Sequence, residues 1–182
     1  DGSTLYAEAK FSGVPIIGLN CGKLGFLSCD EVDMIEEVLD AVEKGKIIVE
    51  TRNKLEYTVG KRKGSSLNDI VITQSQPGRS LRISIKIDKQ SIGTFVCDVV
   101  VFATPTGSTG YNLSCGGAII EPGQDSFAMT MINPHLTKFK SIVLPLSRKI
   151  ELTFEREIPA PAIVVDGNKP INISHKQTVK IN

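Results

Sequence analysis

The chain has 182 residues, 21 Lys and Arg against 20 Asp and Glu, a net charge of +1, and 41% hydrophobic with 23% charged residues. These proportions are those of a globular chain and exclude intrinsic disorder, while the balanced charge argues against a nucleic-acid surface, which needs a clustered excess of Lys and Arg. No apolar run reaches the ~20 residues that span a bilayer; the best, Thr94 to Ala103, is broken by Asp98, so the chain reads as soluble, with no membrane partner.

A chain of this length buries roughly 70% of its unfolded surface and needs neither disulfide nor structural metal to fold. Cys21, Cys29, Cys97 and Cys115 form no C-x-x-C pair and have no nearby His, so buried, reduced, structural thiols of a cytosolic protein are expected.

In chain order, Thr4 to Phe11 predicts a short helix with Leu5 and Ala9 inward. Val14 to Asn20 is a near-continuous apolar run, the pattern of a strand buried on both faces. A glycine-punctuated loop follows from Cys21 to Ser28. Asp30 is placed to cap a helix carrying Val32, Ile35, Leu39 and Val42 at helical spacing, which Gly45 stops. Residues 1–45 thus read as the end of an α/β domain and residues 46–182 as a β-rich domain.

In the second part, strands are predicted at Ile47 to Val49, Leu55 to Val59, Leu67 to Thr73, Leu81 to Ile87, Phe95 to Phe102, Phe127 to Ile132, Ile150 to Phe154, Ala162 to Val165 and Val179 to Ile181. Leu81 to Ile87 alternates apolar and polar residues, so one face of its sheet is solvated. Lys61, Arg62 and Lys63 read as a solvated hairpin tip.

The stretch Thr104 to Gly117 (TPTGSTGYNLSCGG) directly follows the most apolar strand. Its hydroxyls and unhindered glycine N–H groups, with the planar face of Tyr111, suit a ribose, a phosphate or a stacked base. The alternative is an elaborate turn with Ser and Thr capping a short helix. Gly18, Gly22 and Gly25 only loosely resemble a dinucleotide loop, within which Lys23 is a candidate phosphate contact. Asn68 and Asp69, at the start of an apolar strand, can together donate to and accept from sugar hydroxyls, or simply form an Asx turn. Asp98 within a buried-looking strand must be paired, hydrogen bonded or open to a site. Asp166-Gly167 is a strong turn signal. His135 and His175 lack partners for nucleophilic catalysis.

Four blocks together resemble the NAD kinases: Asp1-Gly2-Ser3, Gly18 to Leu27 with Leu24-Gly25-Phe26-Leu27, Leu67-Asn68-Asp69-Ile70, and Thr104 to Gly117. Asn133-Pro134-His135, Val143-Leu144-Pro145 and Val165-Asp166-Gly167 add lesser matches. The resemblance implies an α/β N-terminal domain, incomplete in this chain, and a β-rich C-terminal domain. It further implies a kinase that transfers a phosphoryl group from ATP or polyphosphate to the 2′-hydroxyl of the adenosine ribose of NAD, with Mg2+ bound mainly through the donor phosphates.

By that resemblance Asp1 is the general base, with Gly2 beside it. Asn68 and Asp69 hold ribose hydroxyls or adenine edges, and Thr106, Thr109, Gly110 and Tyr111 line the nucleotide site with Ser114 nearby. Asp98 and Asp166 flank the site, and Phe26 and Leu27 pack beside the nucleotide. The family pattern is altered at Ser3 (usually Thr), Gly110 (usually Ala), Val99 (usually Gly) and Lys140 (often Arg). A cytoplasmic homodimer or homotetramer is implied as well. The family's two glycines before the catalytic Asp have no counterpart ahead of Asp1, so further N-terminal residues are expected in the protein. A lipid kinase of the diacylglycerol or sphingosine type and a non-catalytic dinucleotide-binding module are the alternatives.

Overall fold

The structure is a computed structural model that describes residues 13–21, 28, 30–76, 78–135, 139–155 and 160–182. The helix expected at Thr4 to Phe11 lies outside them. The chain divides into two compact units, residues 1–51 and 52–182, against an expected boundary at 45–46.

In the first unit, strand β1 (Leu19–Asn20) pairs in parallel with β2 (Asp30–Glu31). The strand expected over Val14 to Asn20 is therefore paired only at its end. β2 is its sole neighbour among the described residues, and Val14, Ile16 and Ile17 remain exposed. A 3-10 turn, Val32–Met34, leads into helix α1 (Ile35–Glu43). The helix does not start on an Asp30 cap: the Asp30 backbone is extended in β2, and Glu31, which precedes the turn, makes no side-chain cap bond. The stop at Gly45 is as the sequence predicts. Gly45 adopts φ +63° and its N–H bonds the Val42 carbonyl at 3.0 Å, a left-handed turn that costs glycine least. Ile35, Leu39 and Val42 lie on solvent in this chain. Ile47 to Val49 forms no strand, and Ile48 is fully exposed.

The second unit is two six-stranded sheets. Its strands are β3 (Leu55–Val59), β4 (Arg62–Ser66), β5 (Asp69–Gln74), β6 (Leu81–Ile87), β7 (Gln90–Cys97), β8 (Val99–Ala103), β9 (Ser126–Ile132), β10 (Ser141–Pro145), β11 (Ile150–Phe154), β12 (Pro161–Val165), β13 (Ile171–Asn172) and β14 (Val179–Ile181). A short helix, α2 (Tyr111–Ser114), follows β8. One sheet has the order β10-β9-β8-β5-β12-β13 and the other β4-β3-β14-β11-β6-β7, with every pairing antiparallel.

Period-2 patterning explains how they pack. Leu81, Ile83 and Ile85 of β6 are buried while Arg82 and Lys86 are exposed, so this sheet turns one face inward. The inward residues join Leu55, Leu152, Val179 and Ile181 of the same sheet and Ile70, Ile72, Val100, Phe102, Phe127 and Met129 of the other in a single core. The second sheet is covered on both faces. Val71, Val101, Ala103 and Ala128 point away from the main core and pack with Ile120 in a satellite cluster. The unbroken apolar runs of β5 and β8 follow from that double burial.

The strand expected over Phe95 to Phe102 is in fact two. β7 belongs to one sheet and β8 to the other, and Asp98 stands at the crossing. A polar residue there interrupts the ladder, and its N–H bonds the Ile132 carbonyl at 3.0 Å. Lys61 lies in the β3–β4 turn after Gly60 (φ +59°), while Arg62 and Lys63 are exposed residues of β4.

Candidate functional site

Register places three strand ends side by side. Asp69 at the start of β5 faces Ala103 at the end of β8, and Ile70 faces both Phe102 and Val165 at the end of β12. The segments at 66–69, 104–117 and 165–167 therefore meet at one edge of the doubly covered sheet.

The 104–117 segment is tied to the first of these by backbone and by buried hydroxyls. Thr104, wholly buried, donates its Oγ1 proton to the Leu67 carbonyl at 2.5 Å and accepts from the Gly107 N–H at 3.1 Å, and its own N–H bonds the Asn68 carbonyl at 2.9 Å. Ser108, also wholly buried, donates to the Pro105 carbonyl at 2.7 Å and accepts from the Ile120 N–H at 3.0 Å. Asn112 then pins the far half. Its Nδ2 donates to the Ser108 and Ala118 carbonyls at 3.1 and 2.9 Å, and its Oδ1 accepts from Thr130 Oγ1 at 2.7 Å. Gly117 is required there because a Cβ would fall 2.1 Å from Asn112 Oδ1.

The turn reading of this loop holds for its buried residues. Thr104 and Ser108 are spent on building the turn. Thr106, Thr109, Tyr111 and Ser114 are partly or largely exposed. Arg52, which sequence reasoning passed over, reaches Thr106 Oγ1 at 3.4 Å. Its signal was faint, because nothing in the sequence links residues 54 positions apart. Asn112 was missed for the same reason: a buried amide looks like any polar residue beside Tyr111.

Asp69 is only 8% exposed. Burial, and secondarily the negative charge of Asp166, push its carboxyl up to about 6, and no hydrogen bond contributes. Tyr111 and Cys115 lie within electrostatic reach. Burial first, then Cys115 and Asp69, raise the Tyr111 phenol above its usual range; burial and Asp69 raise the Cys115 thiol against a lowering hydrogen bond from Tyr111. A buried carboxylate, a 46% exposed aromatic ring and several hydroxyls converge here, a combination that can hydrogen bond a sugar and stack a base.

Asp166 behaves as the turn signal predicts. It has φ +48° and Gly167 φ +69°, and the Asn168 N–H bonds the Val165 carbonyl at 2.9 Å. The carboxylate of Asp166 points back into the cluster. Its Oδ1 accepts from Ser66 Oγ at 2.6 Å and from the Asn68 and Asp69 N–H groups at 2.8 and 3.0 Å, and its Oδ2 accepts from the Leu67 N–H at 2.9 Å.

Asp98 does not flank this cluster within the chain. It sits at the opposite end of β8, about 15 Å along the strand at ~3.3 Å per residue, where Ser80 Oγ and Asn133 Nδ2 donate to its two oxygens at 3.0 and 2.9 Å. There it lines a separate cleft of about 490 Å3 with Gln74, Arg79 and Ser80. Val99 takes no positive φ, so the side chain that replaces the family's glycine fits a regular strand.

The thiols divide by place. Cys97 is buried, and burial and then Asp98 push it up to about 12. Cys115 is half-buried and Cys21 exposed, so neither is the buried structural thiol expected. Cys21 is open because the β1 segment has no covering element among the described residues. Asp1, Gly2, Lys23, Phe26, Leu27 and Cys29 lie outside the described residues. Among the described residues no group of three His, Cys, Asp or Glu side chains could hold a metal ion, and no helix is long and apolar enough to cross a membrane.

The chain matches the ATP-NAD kinase C-terminal domain over residues 67–182. It is 34% identical over 180 residues to the NAD kinase of Carboxydothermus hydrogenoformans, covering 95% of this chain and 64% of that protein. It thus spans just under two thirds of that relative's length. Among solved structures it resembles yeast NADH kinase complexed with NADH (TM-score 0.90, 27% identity, all of this chain and 55% of that one). It also resembles the NAD kinase from Archaeoglobus fulgidus in complex with ATP (TM-score 0.83, 27% identity, all of this chain and 70% of that one). The shared domain and the similarity along nearly the whole chain establish that it belongs to the NAD kinase family.

Proposed function

We propose that the protein containing this chain transfers the terminal phosphoryl group of ATP, or of polyphosphate, to the 2′-hydroxyl of the adenosine ribose of NAD, giving NADP. The observation that carries this reading is the pinning of the Thr104 to Gly117 loop onto Asn68, which sets Tyr111, Asp69 and the outward hydroxyls around one place. In this reading Asn68 and Asp69 hold ribose hydroxyls or adenine edges, Thr109, Gly110 and Tyr111 line the adenine site with Ser114 nearby, and Thr106, beside the Arg52 guanidinium, faces the nucleotide.

The reaction forms a bond from the ribose 2′-oxygen to the donor's terminal phosphorus and breaks that phosphorus's bond to the bridging oxygen. The hydroxyl proton passes to a base, which the family resemblance assigns to Asp1. Such a transfer requires alignment and charge neutralisation more than covalent help. The resemblance assigns a magnesium ion carried by the donor, in keeping with the way Mg2+ characteristically binds, through substrate phosphates with one or two carboxylates. Bound there, the ion would neutralise charge on the transferring phosphoryl group. Phe26 and Leu27 keep the place the resemblance gives them beside the nucleotide, and Lys23, from its place in the glycine-punctuated loop, is the candidate phosphate contact. The same resemblance supports a cytoplasmic homodimer or homotetramer, which light scattering on the purified protein would test.

The deciding assay incubates the whole protein with ATP, Mg2+ and NAD and follows NADP with an NADP-specific dehydrogenase. NADP formation supports the reading. Phosphorylation of diacylglycerol or sphingosine instead, or NAD binding with no turnover, would replace it with a lipid kinase or a non-catalytic binding module.

A further inference from the structure

We propose that Asp166 is a positioning residue, whose carboxylate clamps the backbone of residues 66–69 and thereby presents Asn68 and Asp69 to the acceptor nucleoside. This rests on the NAD kinase reading only for the identity of that nucleoside; the clamp itself stands on geometry.

Four donors converge on the Asp166 carboxylate: the Ser66 hydroxyl and the N–H groups of Leu67, Asn68 and Asp69, all within 2.6–3.0 Å. Three successive backbone N–H groups aimed at one carboxylate form a closed anion nest. An ionised acceptor makes each bond stronger than a neutral one would. The clamp is also locked from its own side. The Asp166 N–H bonds the Asp69 carbonyl at 3.0 Å, and the positive-φ turn with Gly167 fixes the direction in which the side chain leaves the backbone. These partners lie 97 to 100 residues away in sequence, so the contact joins the end of β12 to the entry of β5.

The arrangement decides between two roles for Asp166. A substrate ligand would keep its oxygens toward the open site, whereas Oδ1 here already serves three protein donors. What the clamp holds is the Asn68 backbone, bonded on its N–H side to Asp166 and on its carbonyl side to Thr104. Asn68 is thus fixed through both of the peptide units that flank its Cα. The Asp166 charge also stands close enough to raise the Asp69 carboxyl. The Asp69 N–H is itself one of the four donors, at 3.0 Å, so the clamp holds Asp69 as directly as it holds Asn68.

The test uses the whole protein with Asp166→Asn and, as a milder change that keeps the charge, Ser66→Ala. Asp166→Asn turns one acceptor into a donor facing an N–H. Two measurements are made: amide hydrogen exchange at Leu67, Asn68 and Asp69, and steady-state kinetics with NAD and ATP varied separately. Asp166→Asn is expected to speed exchange at these amides at least tenfold and to raise KM for NAD at least tenfold, with KM for ATP changed less than twofold. Ser66→Ala is expected to do the same to a smaller degree and covers the case in which Asp166→Asn fails to fold. The inference is overturned if exchange at the three amides is unchanged. It is also overturned if kcat falls while KM for NAD stays at the wild-type value, which would put Asp166 in the chemistry, or if only thermal stability drops. A wild-type protein that makes no NADP defeats the functional reading alone. The exchange data and a direct titration with NAD then decide the clamp separately: Asp166→Asn must weaken NAD binding, and unchanged affinity overturns the inference.

Discussion

A Cβ placed on Gly107 would fall 2.0 Å from the carbonyl oxygen of Asn68. The obstruction is backbone, not the tip of a flexible side chain, so it cannot move without breaking the Thr104 N–H bond to that same oxygen. The glycine therefore sets how closely the hydroxyl-rich loop approaches the Asn68 segment. Gly107→Ala is expected to cost about 2–3 kcal/mol, as overpacking of a buried site does, and to weaken NAD binding at least tenfold. Urea unfolding and calorimetric titration check both; a variant within 0.5 kcal/mol of wild type would show that the two loops separate freely.

Asp69 gives the chain a pH-dependent cost. Its carboxyl titrates near 6 in the fold against 3.8 in a free chain, so between those values the folded state binds more protons than the unfolded one. Stability then falls as pH rises through this window. The protonated form's full contribution is present below 3.8 and gone above 6, an effect on the order of 2–3 kcal/mol. Asp69→Asn removes the titration. Relative to wild type, the variant should gain that amount between pH 3.5 and pH 7.5, read as the change in the difference between their urea midpoints. A constant difference would mean that Asp69 ionises normally.

Asn112 is wholly buried and ties together the Ser108 and Ala118 carbonyls and the Thr130 hydroxyl. Asn112→Ala strands the buried Ser108 carbonyl, whereas Ala118 is exposed and the Thr130 hydroxyl keeps Ser141 Oγ at 2.9 Å, so a loss of about 1–3 kcal/mol is expected. Thr130→Val strands Asn112 Oδ1 and also takes a partner from the half-buried Ser141 Oγ, and should cost about 1–3 kcal/mol. In a double-mutant cycle the two should be strongly non-additive, because they share one bond. Additivity would refute the polar pin.

What the sequence disclosed here follows from the range of the forces involved. β3, β6, β11 and β14 are legible with their bounds because alternation along a strand is local: Leu81 to Ile87 carries its own inside and outside. β4 and β10 were not legible, since Arg62–Ser66 and Ser141–Pro145 are strands only because β3 and β9 offer them ladders. Asp98 shows the same limit: a carboxylate in an apolar run marks the crossing between two sheets, and nothing local says which end of β8 faces the site. Asn68, Asp69, Tyr111 and the turn at Asp166 were found as separate motifs. That one carboxylate closes on the backbone of the other segment is a product of register between β5 and β12 and is invisible in either stretch alone.

Tyr111 separates binding from folding. It is 46% exposed on α2, so truncating it removes little buried surface, and Tyr111→Ala should change stability by less than about 1 kcal/mol. If its ring stacks a base, the loss on the bound side is about 1–3 kcal/mol, which corresponds to a Kd for NAD weaker by about fivefold to 140-fold. Tyr111→Phe keeps the stacking face and loses only the phenol, whose partner in the chain is Cys115, and its Kd should stay within about threefold of wild type. Calorimetric titration of the three proteins with NAD decides the matter. Equal losses in Phe and Ala variants would assign the contact to the hydroxyl, and no loss in either would place the base elsewhere on the loop.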